Sequence, residues 1–372
     1  MAPPDALPIL DALLRAAQRG GASDLHLKAG ARPLVRVDGG LVPVAEAPAL
    51  SDPQIEALFA AVLAEAPHRA RELAEAGETD IAIERPGLGR VRSSLFRQRG
   101  RLSAALRMIP GDIPGLDDLG LPPAVARMAD AERGVVLVTG TTGSGKSTTL
   151  AAMIDRINRA AHKHVVTIED PIEMVHQDHG SLINQREVGN DTPSFATALR
   201  RVLRQDPDVI MLGEIRDAET MDAALQAAET GHLVLSTMHT LDATETVNRA
   251  IGFFPLHQQQ AVRAMLAGTL CGIISQRLVP AVGGGRAPAT EVLVATPRSR
   301  DMVINAEETH RLGEVIREGD YYGMQSFDQC LYEHVTSGRV TLENALVAAA
   351  SPHDLRLMLD AKASRRSTAL SA

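Results

Sequence analysis

The chain has 372 residues, 45% of them hydrophobic, with a formal net charge of −8. That length suits two domains with real cores, and the acidic balance argues against a polyanion as the default partner. Two cysteines, Cys271 and Cys330, exclude both a disulfide scaffold and a four-cysteine zinc site, and fit a reducing compartment.

Helical spacing over 7–19 (Leu7, Ile9, Leu10, Leu13, Leu14) opens the chain. Alternation over 24–44 around Gly39-Gly40 predicts a hairpin, and 52–76 reads as helical and alanine-rich. Strand character returns over 79–109, so the first segment is a small α+β module. Proline and glycine crowd PGDIPGLDDLGLPP, which marks a linker or hinge over 110–123. Beyond it, apolar runs (VVLV, HVVTI, DVIML, HLVLST) alternate with helical segments. Continuous apolar runs suit strands covered on both faces, hence a parallel sheet in an α/β domain over 124–372. GGGR at 283–286 marks a loop, and 309–363 reads as short helices, with a tail, 364–372, expected to be disordered. The N-terminus does not read as a secretory signal, and no apolar stretch approaches the roughly 20 residues needed to span a bilayer.

Gly140-Thr141-Thr142-Gly143-Ser144-Gly145-Lys146-Ser147-Thr148 fits the Walker A pattern, with a strand before it and a helix after. Glycines let backbone N–H groups curl round phosphate oxygens, and the helix N-terminus adds partial positive charge. Lys146 is expected on the β- and γ-phosphates of ATP, and the Ser147 hydroxyl on Mg²⁺. The chain holds only four lysines, which sharpens the signal at Lys146. DPDVIMLGEIRD supplies a buried strand followed by Glu214, a Walker B arrangement with Glu for the commoner Asp. HVVTIEDPIEMVH ends in Glu169, Asp170 and Glu173, which read either as site acids or as solvated loop carboxylates. GHLVLSTMHT carries His232 at its start and His239 at its end, each a candidate sensor of the γ-phosphate. The pairs His162/His164 and His176/His179 lack a third ligand at suitable spacing and read as structural.

Taken in order, VTGTTGSGKSTTLAAMIDRIN, TIEDPIE, SLINQREVG, LRQDPDVIMLGEIRD and AAETGHLVLSTMHT resemble the secretion ATPases of type IV pili and type II secretion, within them the retraction branch. The resemblance runs from SDLHLKAGARPLVRVDG to SPHDLRL and covers nearly the whole chain. It implies a RecA-like P-loop ATPase domain behind a smaller PAS-like N-terminal domain (1–109), assembled as a homo-hexamer. It implies that TIEDPIE is the family's Asp box, with Glu173 activating water, that Glu214 holds Mg²⁺ partly through water, and that His232 and His239 form the His box. GRVRSSLFRQRGRLSAALRMIP resembles the stretch that supplies arginines to the ATP site, best matched by Arg90, Arg92 and Arg107. An arginine there would offset charge on the transferring phosphoryl, and a solvated edge strand is the alternative.

The implied activity is ATP hydrolysis that drives pilus retraction and twitching motility. The implied setting is the cytoplasmic face of the inner membrane, reached through a pilus platform protein, with no direct insertion. The family's AIRNLIRE-like helix is replaced by RSRDMVIN after Thr296-Pro297, and several motifs lie as close to the accessory paralogue, so an accessory ATPase beside a main motor is an alternative. A nucleic-acid translocase is a second alternative; no tryptophan, three tyrosines and no long basic block argue against it.

Overall fold

The computed structural model describes residues 6–37, 39–85, 87–109 and 113–370, with side chains up to 361. The chain forms two compact units. The first gathers 1–113 with two later segments, 169–176 and 185–194; the second gathers 114–168, 177–184 and 195–372.

The first unit contains α1 (Ala6–Arg19), β1 (Asp24–Lys28), β2 (Leu34–Val37), β3 (Gly40–Pro43), α2 (Asp52–Leu63), α3 (Pro67–Ala76), β4 (Glu78–Arg85), β5 (Gly89–Gln98) and β6 (Arg101–Met108). The strands make one antiparallel sheet in the order β3-β2-β1-β6-β5-β4. Leu10, Leu14, Leu25, Ile55, Phe59, Leu95 and Leu106 fill its core and are essentially inaccessible. One expectation changes in detail, and another gains detail. The 24–44 segment holds three strands, because β1 pairs with both β2 and β6 while Gly39 at φ 83° turns β2 into β3. The helical 52–76 segment divides into two helices, because Pro67 cannot continue α2 and instead opens α3.

In the expected linker, 110–112 lie outside the described residues. The remainder forms a 3-10 turn, Leu116–Leu119, with Leu116 buried in the second core, and leads into α4 (Pro123–Ala129).

The chain continues with β7 (Gly134–Thr139), α5 (Lys146–Ala160), β8 (His164–Glu169), β9 (Leu182–Glu187), α6 (Phe195–Val202), β10 (Val209–Leu212), α7 (Ala218–Glu229), β11 (Leu233–Met238), α8 (Ala243–Gly252), α9 (Leu256–Thr269), β12 (Leu270–Pro280) and β13 (Arg286–Val294). It ends in α10 (Pro297–Ile304), α11 (Leu312–Glu318), α12 (Phe327–Thr336), α13 (Leu342–Ala348) and α14 (Pro352–Leu370). The tail expected to be disordered is thus helical as far as Leu370; 371 and 372 lie outside the described residues. The sheet order is β13-β12-β7-β11-β10-β8-β9. Pairs β12·β7, β7·β11, β11·β10 and β10·β8 are parallel, and β12·β13 is antiparallel. Every residue of β7 and β11 is buried, which is why those runs are apolar without alternation. Leu150, Met153, Ile154 and Ile157, at i, i+3, i+4 and i+7, seat α5 in the same core as Val136 and Val138. Each such fully buried side chain contributes about 1.5–3 kcal/mol.

Candidate functional site

The phosphate loop leaves β7 at Thr139 and enters α5 at Lys146. Gly140 has φ 141°, and a Cβ there would stand 2.4 Å from Gln276 O and 2.5 Å from Ser144 Oγ. Only glycine fits that turn. Gly145 caps α5 at φ 96°, which aims the helix N-terminus into the loop. Lys146 is buried, and its Nζ donates to Gly140 O at 2.8 Å and Thr141 O at 2.9 Å. The loop is braced from beneath. Thr139 Oγ1 donates to Ser275 Oγ at 2.9 Å, and Gln276 Nε2 donates to Thr149 Oγ1 at 2.9 Å. Ser144 Oγ and Gln276 Oε1 are buried without a hydrogen-bond partner. An open cleft of about 380 Å³ lies against residues 140–144 and is also lined by Leu241, Gln276–Leu278 and Arg286.

Three neighbouring parallel strands end together here, so their C-terminal tips share one rim of the sheet. Thr237 Oγ1, on β11, donates to Gly213 O at 2.7 Å and fixes the chain leaving β10 just before Glu214. Glu214 is only 15% exposed; its Oε1 meets Arg216 Nη2 at 2.5 Å. Its Oε2 is buried without a hydrogen bond, and His239 Nε2 approaches it to 3.4 Å. An orphaned carboxylate oxygen beside a phosphate loop suits a hydrated divalent cation.

His232 is placed elsewhere. It precedes β11, and its backbone O accepts from Gly134 N at the start of β7. Leu233 pairs with Gly134 and Met238 with Thr139, so the six-residue length of the sheet, about 20 Å, separates His232 from the phosphate loop of its own unit. Its ring Nδ1 lies 2.8 Å from Ala227 O and 3.2 Å from Thr230 Oγ1, closing the C-terminal end of α7. The register thus places His232 and His239 at opposite ends of β11. Two of the four histidines read as structural are also bound to backbone oxygens: His162 Nδ1 to Gly180 O and His164 Nδ1 to Asp206 O.

The acidic loop after β8 groups with the first unit, where arginines of that unit hold it. Arg90 Nη2 pairs with Glu187 Oε2 at 2.6 Å, and Ile172 N donates to the same oxygen at 3.1 Å. Arg92 lies 3.4 Å from Glu173 Oε1 and 3.7 Å from Asp80 Oδ2. Arg69 reaches Asp170 Oδ1 at 3.6 Å and donates to Val188 O at 3.2 Å. Glu169 Oε1 accepts from Gln185 Nε2 at 3.0 Å. Arg107, directly opposite Arg92 across β5 and β6, is the most exposed of the three candidate arginines and pairs with Asp24 at 2.9 Å. Arg90 and Arg92 thus engage acids of their own chain. The parts the sequence reading missed, Ser275, Gln276 and Arg286, come from strands more than 120 residues beyond the loop.

A family model described as type II/IV secretion system protein matches residues 5–350. The chain is 43% identical over 342 residues to the type IV pilus retraction ATPase PilT of Pseudomonas aeruginosa, across 92% of this chain and 98% of that one. It is 44% identical over 348 residues to the type IV pilus ATPase PilU of the same organism, across 93% and 90%. A crystal structure of the pilus retraction motor PilT with bound ADP matches with a TM-score of 0.84 at 44% identity, covering 94% of this chain and 98% of the other.

Proposed function

The chain belongs to the type II/IV secretion family, and from that membership and the site's geometry we propose that it is an ATP-hydrolysing motor of type IV pilus retraction. One observation carries the reading. A phosphate loop whose first turn only glycine fits, a buried lysine and a half-orphaned carboxylate meet on one rim of a parallel sheet.

ATP is the substrate. Backbone N–H groups of 140–146 bind its phosphate oxygens, and Lys146 Nζ exchanges two carbonyl partners for β- and γ-oxygens. Ser147 and Glu214 are the residues that would hold Mg²⁺, whose charge would offset that of the phosphates. His239, beside Glu214, hydrogen-bonds the γ-phosphate and reports its loss. Glu173 is assigned the attacking water because TIEDPIE matches the Asp box; its present partner, Arg92, keeps a compensating charge at hand. Arg92 and Arg107 are the arginines that a triphosphate would recruit, since both are more exposed than Arg90.

The working assembly is a homo-hexamer docked on an inner-membrane platform protein from the cytoplasmic side. No helix among the described residues is long and apolar enough to cross a membrane. The test is genetic. In a strain lacking its own retraction ATPase, this gene should restore twitching motility and its Lys146→Ala form should not. Near-equal identity to PilT and PilU favours a second reading, an accessory ATPase working beside a main motor. Rescue that occurs only when a paralogue is co-expressed would select that reading.

A further inference from the structure

Glu291 takes no part in the chemistry above, yet it stands in the row of residues that borders the site. Met238, Thr139, Ser275 and Glu291 lie side by side on β11, β7, β12 and β13. Residues directly opposite one another share a face of the sheet, as the 2.9 Å bond between the Thr139 and Ser275 hydroxyls shows here. Three strand spacings, about 14 Å, separate Glu291 from β11, too far for direct contact with His239. Its reach runs through α8.

His239 directly follows Met238 at the end of β11, and a short link, 240–242, leads from it into α8. The link is fastened to the first turn of that helix. Leu241 N donates to Glu245 Oε2 at 2.8 Å, and Asp242 caps α8 by accepting from Glu245 N at 2.7 Å. The buried hydroxyls of Thr240 and Thr246 lie 2.6 Å apart, and Thr246 Oγ1 donates to Asp242 O at 2.6 Å. Link and helix start therefore form one piece. Glu291 ties that piece to β13: its Oε1 accepts from Ala243 N at 2.9 Å. A carboxylate there meets the partial positive charge of the helix N-terminus as well as a donor. The place is otherwise a poor one for an acid. Burial pushes the carboxyl up to about 7, and Asp242 and Asp328 push the same way, against the Ala243 bond and Arg277. What the side chain supplies at that cost is an anchor.

We propose that Glu291 is a positioning residue for ATP hydrolysis: by holding the start of α8 against β13, it sets where the 240–242 link leaves His239, 3.4 Å from Glu214. This rests on the reading of His239 as the contact to the γ-phosphate. The experiment measures ATP turnover and ADP affinity of the full-length protein in a double-mutant cycle. Glu291→Leu removes the acceptor and should lower kcat about tenfold, with ADP affinity within about twofold, since ADP lacks the phosphate that His239 meets. Glu291→Gln keeps an acceptor oxygen and should retain about half of kcat or more. In a His239→Ala background, Glu291→Leu should lower kcat by less than about twofold further, because the group it positions is gone. Should Glu291→Leu melt too low to assay, Ala243→Pro removes the donor instead, at the first helical position, where proline is tolerated, and should give the same pattern. Unchanged kcat in these variants would overturn the proposal. So would a second loss of about tenfold on top of His239→Ala, which would leave Glu291 a stabilising residue alone. Normal turnover by His239→Ala would overturn the γ-phosphate reading of His239 itself.

Discussion

Alanine at Gly140 is the sharpest test of the phosphate loop as a built structure. The added Cβ would lie 2.4 Å from a backbone oxygen, Gln276 O, that belongs to strand β12 and cannot rotate away. It would also meet Ser144 Oγ at 2.5 Å, and φ 141° is itself strained for any residue with a side chain. Strained backbone costs about 1–3 kcal/mol and overpacking a further 1–3 kcal/mol, so about 4 kcal/mol is expected. For a unit of this size that lowers Tm by about 8–16 °C. Gly143→Ala is the control. Its Cβ would meet nothing within 4 Å, leaving only the strain of φ 79°, about 1 kcal/mol. Scanning calorimetry with and without ADP reads both effects. Gly140→Ala should melt well below Gly143→Ala and lose its ADP-induced stabilisation. If Gly140→Ala melted within about 2 °C of the unaltered protein and kept ADP binding, the close approach of β12 to the loop would be wrong.

Arg90→Ala takes the ion-pair partner from Glu187, only 4% exposed and left with the Ile172 and Asn190 hydrogen bonds, and should cost about 3 kcal/mol in urea unfolding; Arg92→Ala, with its pair more than a third exposed, should cost under about 1 kcal/mol, and the reverse order would refute the burial argument. Glu173→Ala should bind ADP normally yet lose about 10²–10⁴-fold in turnover, and near-normal hydrolysis would mean that another residue handles the water. Burial, partly offset by the Ala243 N–H, pushes the Glu291 carboxyl up from 4.5 to about 7. The native state then binds the extra proton, so stability should fall as pH rises from about 4.5 to about 7 and level off above. Glu291→Gln should flatten that slope in pH-resolved urea unfolding, and a parallel curve would show that another group carries it.

The second unit was legible because its signals are local. VVLVTG followed by GKSTTL places a buried strand, a glycine turn and an amphipathic helix within 27 residues, and β7 and α5 follow that pattern. His232 and His239 read in the sequence as the start and end of one strand, which does not say what each end faces. Only the parallel register with β7 shows that they occupy opposite ends of the sheet. The pairing of Arg90 with Glu187 and Arg92 with Glu173 joins residues 97 and 81 positions apart, which no periodicity reports. The hairpin Arg286 read only as the end of a loop, because its relation to Gly140 exists through β12 alone. Within the first unit, the helical character of 52–76 was legible, and Pro67 marks where α3 opens.

The account stands most directly on ATP turnover by the purified full-length protein, measured together with its mass in solution and with Lys146→Ala alongside. It predicts Mg²⁺-dependent phosphate release from an assembled ring, abolished in the variant. A protein that neither retains nor splits ATP in any assembly state, or a Lys146→Ala form that turns over at the normal rate, would contradict it.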